Sequence, residues 1–430
     1  MLIRIIVTVV LILVFDLYAF QAIKVLTENL NINWRRGLRI SFWVISLLFY
    51  VLAFLAMGGY FVKIDRTIYV VVTGLFMAMF LAKVLMMVPM VLEDVYRIFE
   101  KIVSFFRTST EVESESKSFL VGRKKFISQI SAGIGGLTFA GLSYGIIKGA
   151  HDYKVHRTKV SMKGLPDSFK GLKIGHLSDI HSGSFWDKRA VVKGIQKLMN
   201  EKPDVIFFTG DLVNSLAAEM NDEYIAIFSQ LKAPLGVFSI LGNHDYGDYH
   251  NWPDAIEFRK KPERDKSHMS PMQKANLESL IAIHKQMGWD ILLNENRLLE
   301  RNGERIALIG VENYGAKGNF PKYGFLEQAI KGVEAVPVKI LLSHDPSHWE
   351  KEVTKSYTDI QLTLSGHTHG AQFGIESAWI KWSPVKYMYK QWAGLYNNGE
   401  QFLYVNRGFG YLGYPGRLGI RPEIGIISLA

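Results

Sequence analysis

The sequence predicts an α/β domain with a largely parallel central sheet, preceded by a membrane-spanning helical region. Three observations predict it. From residue 172 onward, short apolar β-like runs alternate with stretches of helical periodicity. Five of those runs end in short stretches of Asp, Asn and His: Asp179-Ile180-His181, Gly210-Asp211, Gly242-Asn243-His244, His344, and Gly366-His367-Thr368-His369. Before residue 150 lie apolar runs long enough to cross a hydrocarbon core, which takes about 20 residues.

The apolar runs come first in chain order. Leu2–Val25, Ile40–Val62 and Ile68–Leu92 each read as a span, and Ile130–Ile147, rich in Gly and Ser, is a weaker fourth. The expected division is therefore a membrane region of three to four helices over residues 1–150 and one globular domain over 151–430. The Lys and Arg residues cluster in two loops: Arg35, Arg36 and Arg39 after the first span, and Arg97, Lys101, Arg107, Lys117, Arg123, Lys124 and Lys125 after the third. The second loop carries only Lys63 and Arg66. With four spans, the positive-inside rule puts the basic loops in the cytoplasm and the globular domain on the extracytoplasmic side; with three, the domain is cytoplasmic. Arg123-Lys124-Lys125-Phe126-Ile127 reads either as a loose twin-arginine export signal or as a basic stop before a span. Asp16 and Lys83 sit at similar depth in the first and third spans and are expected to pair, because an unpaired charge there costs at least a few kcal/mol.

The net charge of +10 could suggest nucleic acid, but many of the cations read as membrane-flanking, and no basic, aromatic-interleaved motif argues otherwise. The absence of cysteine excludes disulfides, thiolate metal sites and a cysteine nucleophile.

Residues 151–170 read as a polar connector with a turn at Gly164-Leu165-Pro166. Strands are expected at Leu172–Leu177, Val205–Thr209, Val237–Leu241, Ile340–Ser343 and Leu362–Ser365, with helices near Ala190–Leu198 and Tyr224–Leu231. Ligands just past the carboxyl ends of strands converge on one edge of a sheet. Asp179 and His181 are two apart, as are His367 and His369, so in an extended loop each pair points to one side. Gly210 and Gly242 allow sharp turns beside Asp211 and Asn243. The donor set is two carboxylates, four imidazoles (His181, His344, His367, His369) and one amide. It is too large for a single tetrahedral ion and suits two divalent ions (Mn, Fe, Zn, Co or Mg) sharing a carboxylate.

In their order and wording these blocks, with Ser178, Asp245 and Gly370 flanking them, resemble the calcineurin-like metallophosphoesterase superfamily, bacterial membrane-associated branch, over about residues 155–430. The resemblance implies an αββα sandwich. It implies one metal on Asp179, His181, Asp211 and His369 and another on Asp211, Asn243, His344 and His367, with His244 contacting phosphate and assisting the leaving group. The expected activity is hydrolysis of a phosphoester or pyrophosphate bond by a hydroxide shared between the metals. The substrate would be a phosphate-containing small molecule or lipid; some relatives act on lipid-linked nucleotide diphosphates. Alternatives are an inactive scaffold or signalling protein built on this domain, against which the complete ligand set argues, and a transporter, against which the few spans argue.

Around the site, Arg259, Lys260, Lys261 and Arg264 in the polar 248–270 stretch read as a solvated loop or as a lid for an anionic substrate. Tyr249, Trp252 and Phe258 read as aromatics that cover the core or, alternatively, face an acyl chain. Arg407, with Arg417 and Arg421, is a candidate phosphate contact. His176 reads as a core or supporting residue. Gly141-Leu142-Ser143-Tyr144-Gly145 matches a nucleophile elbow but lacks the preceding strand. Gly408-Phe409-Gly410-Tyr411-Leu412-Gly413 matches a dinucleotide fingerprint but is followed by Tyr414-Pro415-Gly416 and not by a helix.

Overall fold

Helical hydropathy governs the first part of the chain and strand burial the second. A computed structural model describes residues 2–57, 65–106, 114–255, 266–318 and 320–430, with side chains from residue 10 and, in the helix beginning at Ser114, from residue 122. Lys63, Arg107, Phe258, Arg259, Lys260, Lys261, Arg264 and the side chain of Lys117 therefore lie outside the description. The chain divides into two units, Met1–Ile147 and Lys148–Ala430.

The first unit consists of helices α1 (Leu2–Leu26), α2 (Ile32–Met57), α3 (Arg66–Phe105) and α4 (Ser114–Ile147). Ile32–Ala56, Arg66–Phe105 and Gly122–His151 are long and apolar enough to cross a membrane. The weak fourth candidate, 130–147, is thus part of a longer continuous helix. Its small residues allow close packing: a Cβ on Gly135 would lie 3.1 Å from Met86 Cβ. Asp16 and Lys83 do pair, Nζ to Oδ1 at 2.6 Å. Lys83 also donates to Ser46 Oγ (2.7 Å), and Tyr50 donates to Asp16 Oδ2 (2.5 Å). Every formal charge in this buried cluster is compensated and hydrogen-bonded, which is the condition for keeping charges in an apolar bundle.

The second unit is built on two six-stranded sheets. The first holds β1 (Lys154–Val160), β2 (Lys173–Leu177), β3 (Val205–Phe208), β4 (Val237–Ser239), β5 (Asp290–Ile291) and β14 (Glu423–Leu429), in the order β1-β14-β2-β3-β4-β5. The second holds β6 (Glu295–Arg301), β7 (Glu304–Gly310), β8 (Lys339–Leu342), β9 (Leu362–Ser365), β12 (Gly394–Asn398) and β13 (Gln401–Val405), in the order β12-β13-β9-β8-β7-β6. A short hairpin, β10 (Ile375–Glu376) with β11 (Lys381–Trp382), stands apart.

Residues of β3 alternate between two layers. Val205 and Phe207 face the second sheet, in a core with Leu308, Ile340, Leu342 and Leu364. Ile206 and Phe208 face α5 (Lys188–Asn200), α6 (Asp222–Phe228) and α7 (Pro271–Gln286). On the far side, Ala307, Ile309 and Leu341 pack under Leu326, Trp349 and Val353. The layers therefore run helix, sheet, sheet, helix. Strands buried on both faces carry continuous apolar runs, which is why the sequence located β2, β3, β4, β8 and β9 to within two residues.

This is the αββα sandwich that the resemblance implied, with the five ligand-bearing strands split three and two between its sheets. One sequence expectation changes. The connector 151–170 is not wholly irregular: its polar first part forms β1, paired in parallel with the C-terminal β14. An edge strand exposed on one face lacks the apolar run that marks the others.

Candidate metal centre

The carboxyl ends of β2, β3 and β4 in one sheet and of β8 and β9 in the other open onto the same place. Ligand atoms of Asp179, His181, Asp211 and His369 all lie within 4.8 Å of one another, and all four side chains are buried. His181 Nε2 is 3.0 Å from His369 Nε2, and His369 Nε2 is 3.2 Å from Asp179 Oδ1. Asp211 Oδ2 faces both His181 Nε2 (3.5 Å) and His344 Nε2 (3.2 Å). Asn243 Oδ1 lies 2.8 Å from His367 Nδ1, and the His367 backbone N–H donates to Asp179 Oδ1 at 2.9 Å. All seven expected ligand residues are thus linked around Asp179 and Asp211.

Backbone conformation delivers them. Asp179, His181, Asp211, His367 and His369 have φ of 52°, 49°, 60°, 71° and 50°. This left-handed region costs an ordinary residue about 1–2 kcal/mol, and such outliers cluster at functional sites. The i, i+2 pairs share the site as expected, but through left-handed turns and not through extended loops. The loops interlock: Asp179 N–H donates to Gly210 O (2.9 Å) and His181 N–H to Asp211 O (3.1 Å). Two glycines serve close approach. A Cβ on Gly242 would fall 2.2 Å from Asp211 Oδ1, and one on Gly366 2.2 Å from Asp179 Oδ2.

Residues 172–371 match the family described as calcineurin-like phosphoesterase, and residues 3–150 match its probable transmembrane domain. The chain carries a calcineurin-like phosphoesterase domain at residues 172–371. Among its relatives, a Danio rerio transmembrane protein with metallophosphoesterase domain is 30% identical over 294 residues, 66% of this chain and 59% of that protein. An uncharacterized Bacillus subtilis metallophosphoesterase is 28% identical over 320 residues, 72% of this chain and 98% of that one. The UDP-2,3-diacylglucosamine pyrophosphatase of Chlamydia trachomatis is 26% identical over 283 residues, 57% and 81% respectively. The alignment spans under two thirds of the fish protein and of its cattle counterpart (58%).

Electrostatics of the candidate metal site follow from burial. Burial and the neighbouring Asp211 charge push the Asp179 carboxyl up to about 6, against the opposing pull of His344. Burial also opposes ionisation of Asp211, but the imidazoles of His344, His244 and His181 outweigh it and hold that carboxyl well below its usual range. Burial drives the His181 imidazole down to about 3, which keeps it neutral and leaves a nitrogen lone pair for a cation. His344 Nδ1 donates to Thr209 O (2.6 Å), which orients Nε2 toward Asp211. That Nε2 lies 3.2 Å from Asp211 Oδ2; burial opposes protonation of the imidazole, but the Asp211 charge outweighs it and pushes His344 up to about 10. The residues fit one divalent ion at Asp179, His181, Asp211 and His369.

His244 differs from the other imidazoles. It is only half-buried, its Nδ1 is 2.7 Å from Asn214 O, and its backbone N–H donates to Asp211 Oδ1. Its Nε2 is left for a further contact.

Several supporting residues carried no assigned role in the sequence reading. Asp245 accepts four backbone N–H groups: Gly242 and Asp211 on Oδ2 (both 2.8 Å), Leu212 (2.8 Å) and Val213 (3.3 Å) on Oδ1. Its place directly after Asn243-His244 was the available signal. Tyr389 OH meets both His367 Nε2 (3.0 Å) and Asp345 Oδ2 (3.3 Å), from a stretch with no pattern to betray it. Tyr249 is no mere cover: its hydroxyl accepts from Asn243 Nδ2 (2.9 Å), and its ring packs on His244.

The arginines are reassigned. Arg407 is consumed by Glu423 and Glu376, and Arg421 by Asp152. Buried Arg417 grips His369 O and Gly410 O. Acidic partners distant in sequence decide this. His176, as expected, supports: its buried Nε2 meets Thr209 Oγ1 at 2.9 Å.

Proposed function

We propose that this chain is a membrane-anchored, metal-dependent phosphohydrolase whose site takes two divalent ions. The carrying observation is the convergence of two carboxylates, four imidazoles and one amide from two sheets onto one buried locus, with left-handed backbone at five of the seven positions. Asp179, His181, Asp211 and His369 would hold one ion, and Asp211, Asn243, His344 and His367 the other. Bound there, the ions would supply Lewis-acid chemistry, activating water and neutralising charge on phosphoryl oxygens.

The chain's own residues do the rest. Asp211 presents its Oδ2 to His181 and His344 from either side and gives the two sets a common anion. His244, tethered through Nδ1 to Asn214 O and packed edge-on to His181, keeps Nε2 for contacting a phosphoryl oxygen or handing a proton to the departing oxygen. Tyr389 holds His367 in register, and Asp245 holds the Asp211 and Asn243 loops together.

For the substrate, the membrane region favours a phosphate compound presented at a bilayer, either a lipid-linked nucleotide or a phospholipid. The relationship to a protein named as a UDP-2,3-diacylglucosamine pyrophosphatase supports a pyrophosphate bond as the first to test. Four spans would place the domain on the extracytoplasmic side. Proteolysis of intact spheroplasts checks this: digestion only after lysis refutes it.

The deciding experiment is elemental analysis of the detergent-purified chain beside hydrolysis of nitrophenyl phosphate, bis-nitrophenyl phosphate, nucleotide sugars and phospholipids with Mn, Zn or Mg. About two ions per chain with activity supports the proposal; a chain that takes up no metal refutes it. Asp211→Ala is expected to abolish both. His244→Ala should keep the metal and lose about 10²–10⁴-fold in turnover, the usual worth of a positioned acid.

A further inference from the structure

A cavity of ≈ 420 Å³ lies away from the metal centre, between the 151–153 segment and one face of α5. Arg189, Lys193 and Lys197 line it, spaced by four residues and therefore stacked on one stripe of the helix. This arrangement works against the helix. Like charges at i, i+4 repel, and a cation in the first turn opposes the helix dipole. α5 has no acidic residue in its first turn to compensate. The one carboxylate lining the cavity, Asp187, is engaged as the helix N-cap, accepting from Ala190 N–H at 3.1 Å. Lys197 reaches across to Tyr153 O at 2.7 Å. Arg189 and Lys193 are exposed and have no ion-pair partner among the described residues.

Two further polar groups line the same cavity. His151 Nε2 and the Tyr153 hydroxyl are buried without hydrogen-bond partners, and Tyr153 is only 2% exposed. A buried hydroxyl left unmade costs about 1–3 kcal/mol. Three cations and two unsatisfied hydrogen-bonding groups facing one cavity describe a receptor for an anion with several acceptor oxygens.

The chain's course selects the source of that anion. His151 is the last residue of Gly122–His151, the segment long and apolar enough to cross a membrane. The residue that closes that segment is therefore also part of the cavity lining, and the phosphates met where a membrane-crossing segment ends are those of lipid headgroups. We propose that the cavity binds the phosphate headgroup of an anionic phospholipid, with Arg189 and Lys193 supplying the charge and Tyr153 and His151 the hydrogen bonds.

The test uses the full chain in a neutral maltoside detergent, with its melting temperature followed during titration with phosphatidylglycerol, phosphatidylcholine or inorganic phosphate. Phosphatidylglycerol is expected to raise the melting temperature of the unsubstituted chain. For R189Q/K193Q the half-saturating concentration should rise roughly 30-fold, the effect of removing two cations beside an anionic surface. Both residues are exposed, so the variant should fold. Y153F removes the unsatisfied hydroxyl, so it should melt above the unsubstituted chain without lipid and lose part of the lipid-induced shift. The proposal is overturned if R189Q/K193Q responds at the unsubstituted chain's concentration, or if phosphatidylcholine acts as well as phosphatidylglycerol. It is also overturned if inorganic phosphate alone produces the whole shift, which would assign the cavity to a free anion.

Discussion

Replacing Asp245 by Asn changes one atom of the site's scaffold and none of its proposed ligands. The carboxylate spends both oxygens on backbone N–H groups, two on Oδ2 from Gly242 and Asp211, two on Oδ1 from Leu212 and Val213. These belong to the two loops that carry Asp211 and Asn243. An amide keeps only one oxygen, so whichever way it is turned its NH2 faces at least two N–H donors. Each hydrogen bond to a charged acceptor is worth about 1.5–3 kcal/mol, so losing two costs about 3–6 kcal/mol. Against a total stability of about 5–15 kcal/mol this is severe. At about 2–4 °C per kcal/mol it lowers the melting temperature by at least about 6 °C. Asp211 would also lose the contact that fixes its left-handed backbone, so metal content should fall even in the surviving folded fraction. The assay is a fluorescence melt of the detergent-solubilised chain with elemental analysis of the same sample. A D245N chain that melts and loads metal like the unsubstituted protein would refute the assignment of Asp245 as the clamp between the loops.

Further outcomes are expected elsewhere. Lys83→Met strands the Asp16 carboxylate among apolar helices and should cost about 3–5 kcal/mol, while D16N/K83M should cost less than the two single changes summed; an unchanged melt for K83M would dismiss the pairing. Glu423→Gln tests the buried ion pair with Arg407. Burial opposes ionisation of Glu423, but Arg407 outweighs it and holds the carboxyl down at about 2. A carboxyl depressed from its unfolded value near 4.5 contributes stability that is full above that value and is lost as pH falls through about 2. The shift corresponds to about 3 kcal/mol at neutral pH. The E423Q deficit should therefore be full at pH 7 and narrow between about pH 4.5 and 2; a deficit constant over that range would exclude the ion pair as its cause.

The sequence by itself determined a good deal. Hydropathy marked the membrane-length helices, because a helix facing lipid must be apolar over its whole span. Burial on both faces wrote β2, β3, β4, β8 and β9 as uninterrupted apolar runs, and the residues after each run supplied the candidate ligands, since only a few side-chain types bind divalent metals. The tertiary structure decided what depends on partners distant in the chain. It divided the strands between two sheets and found β1 in a polar stretch that only pairing with β14 makes a strand. It turned Arg407 and Arg421 from candidate phosphate contacts into ion pairs with Glu423, Glu376 and Asp152. It gave Asp245, Tyr249 and Tyr389 their places. Periodicity and composition record the face a residue shows to its own element. A hydrogen bond between loops more than thirty residues apart, such as that from Asp211 to Asp245, leaves no periodic trace, and only the folded chain brings its two ends together.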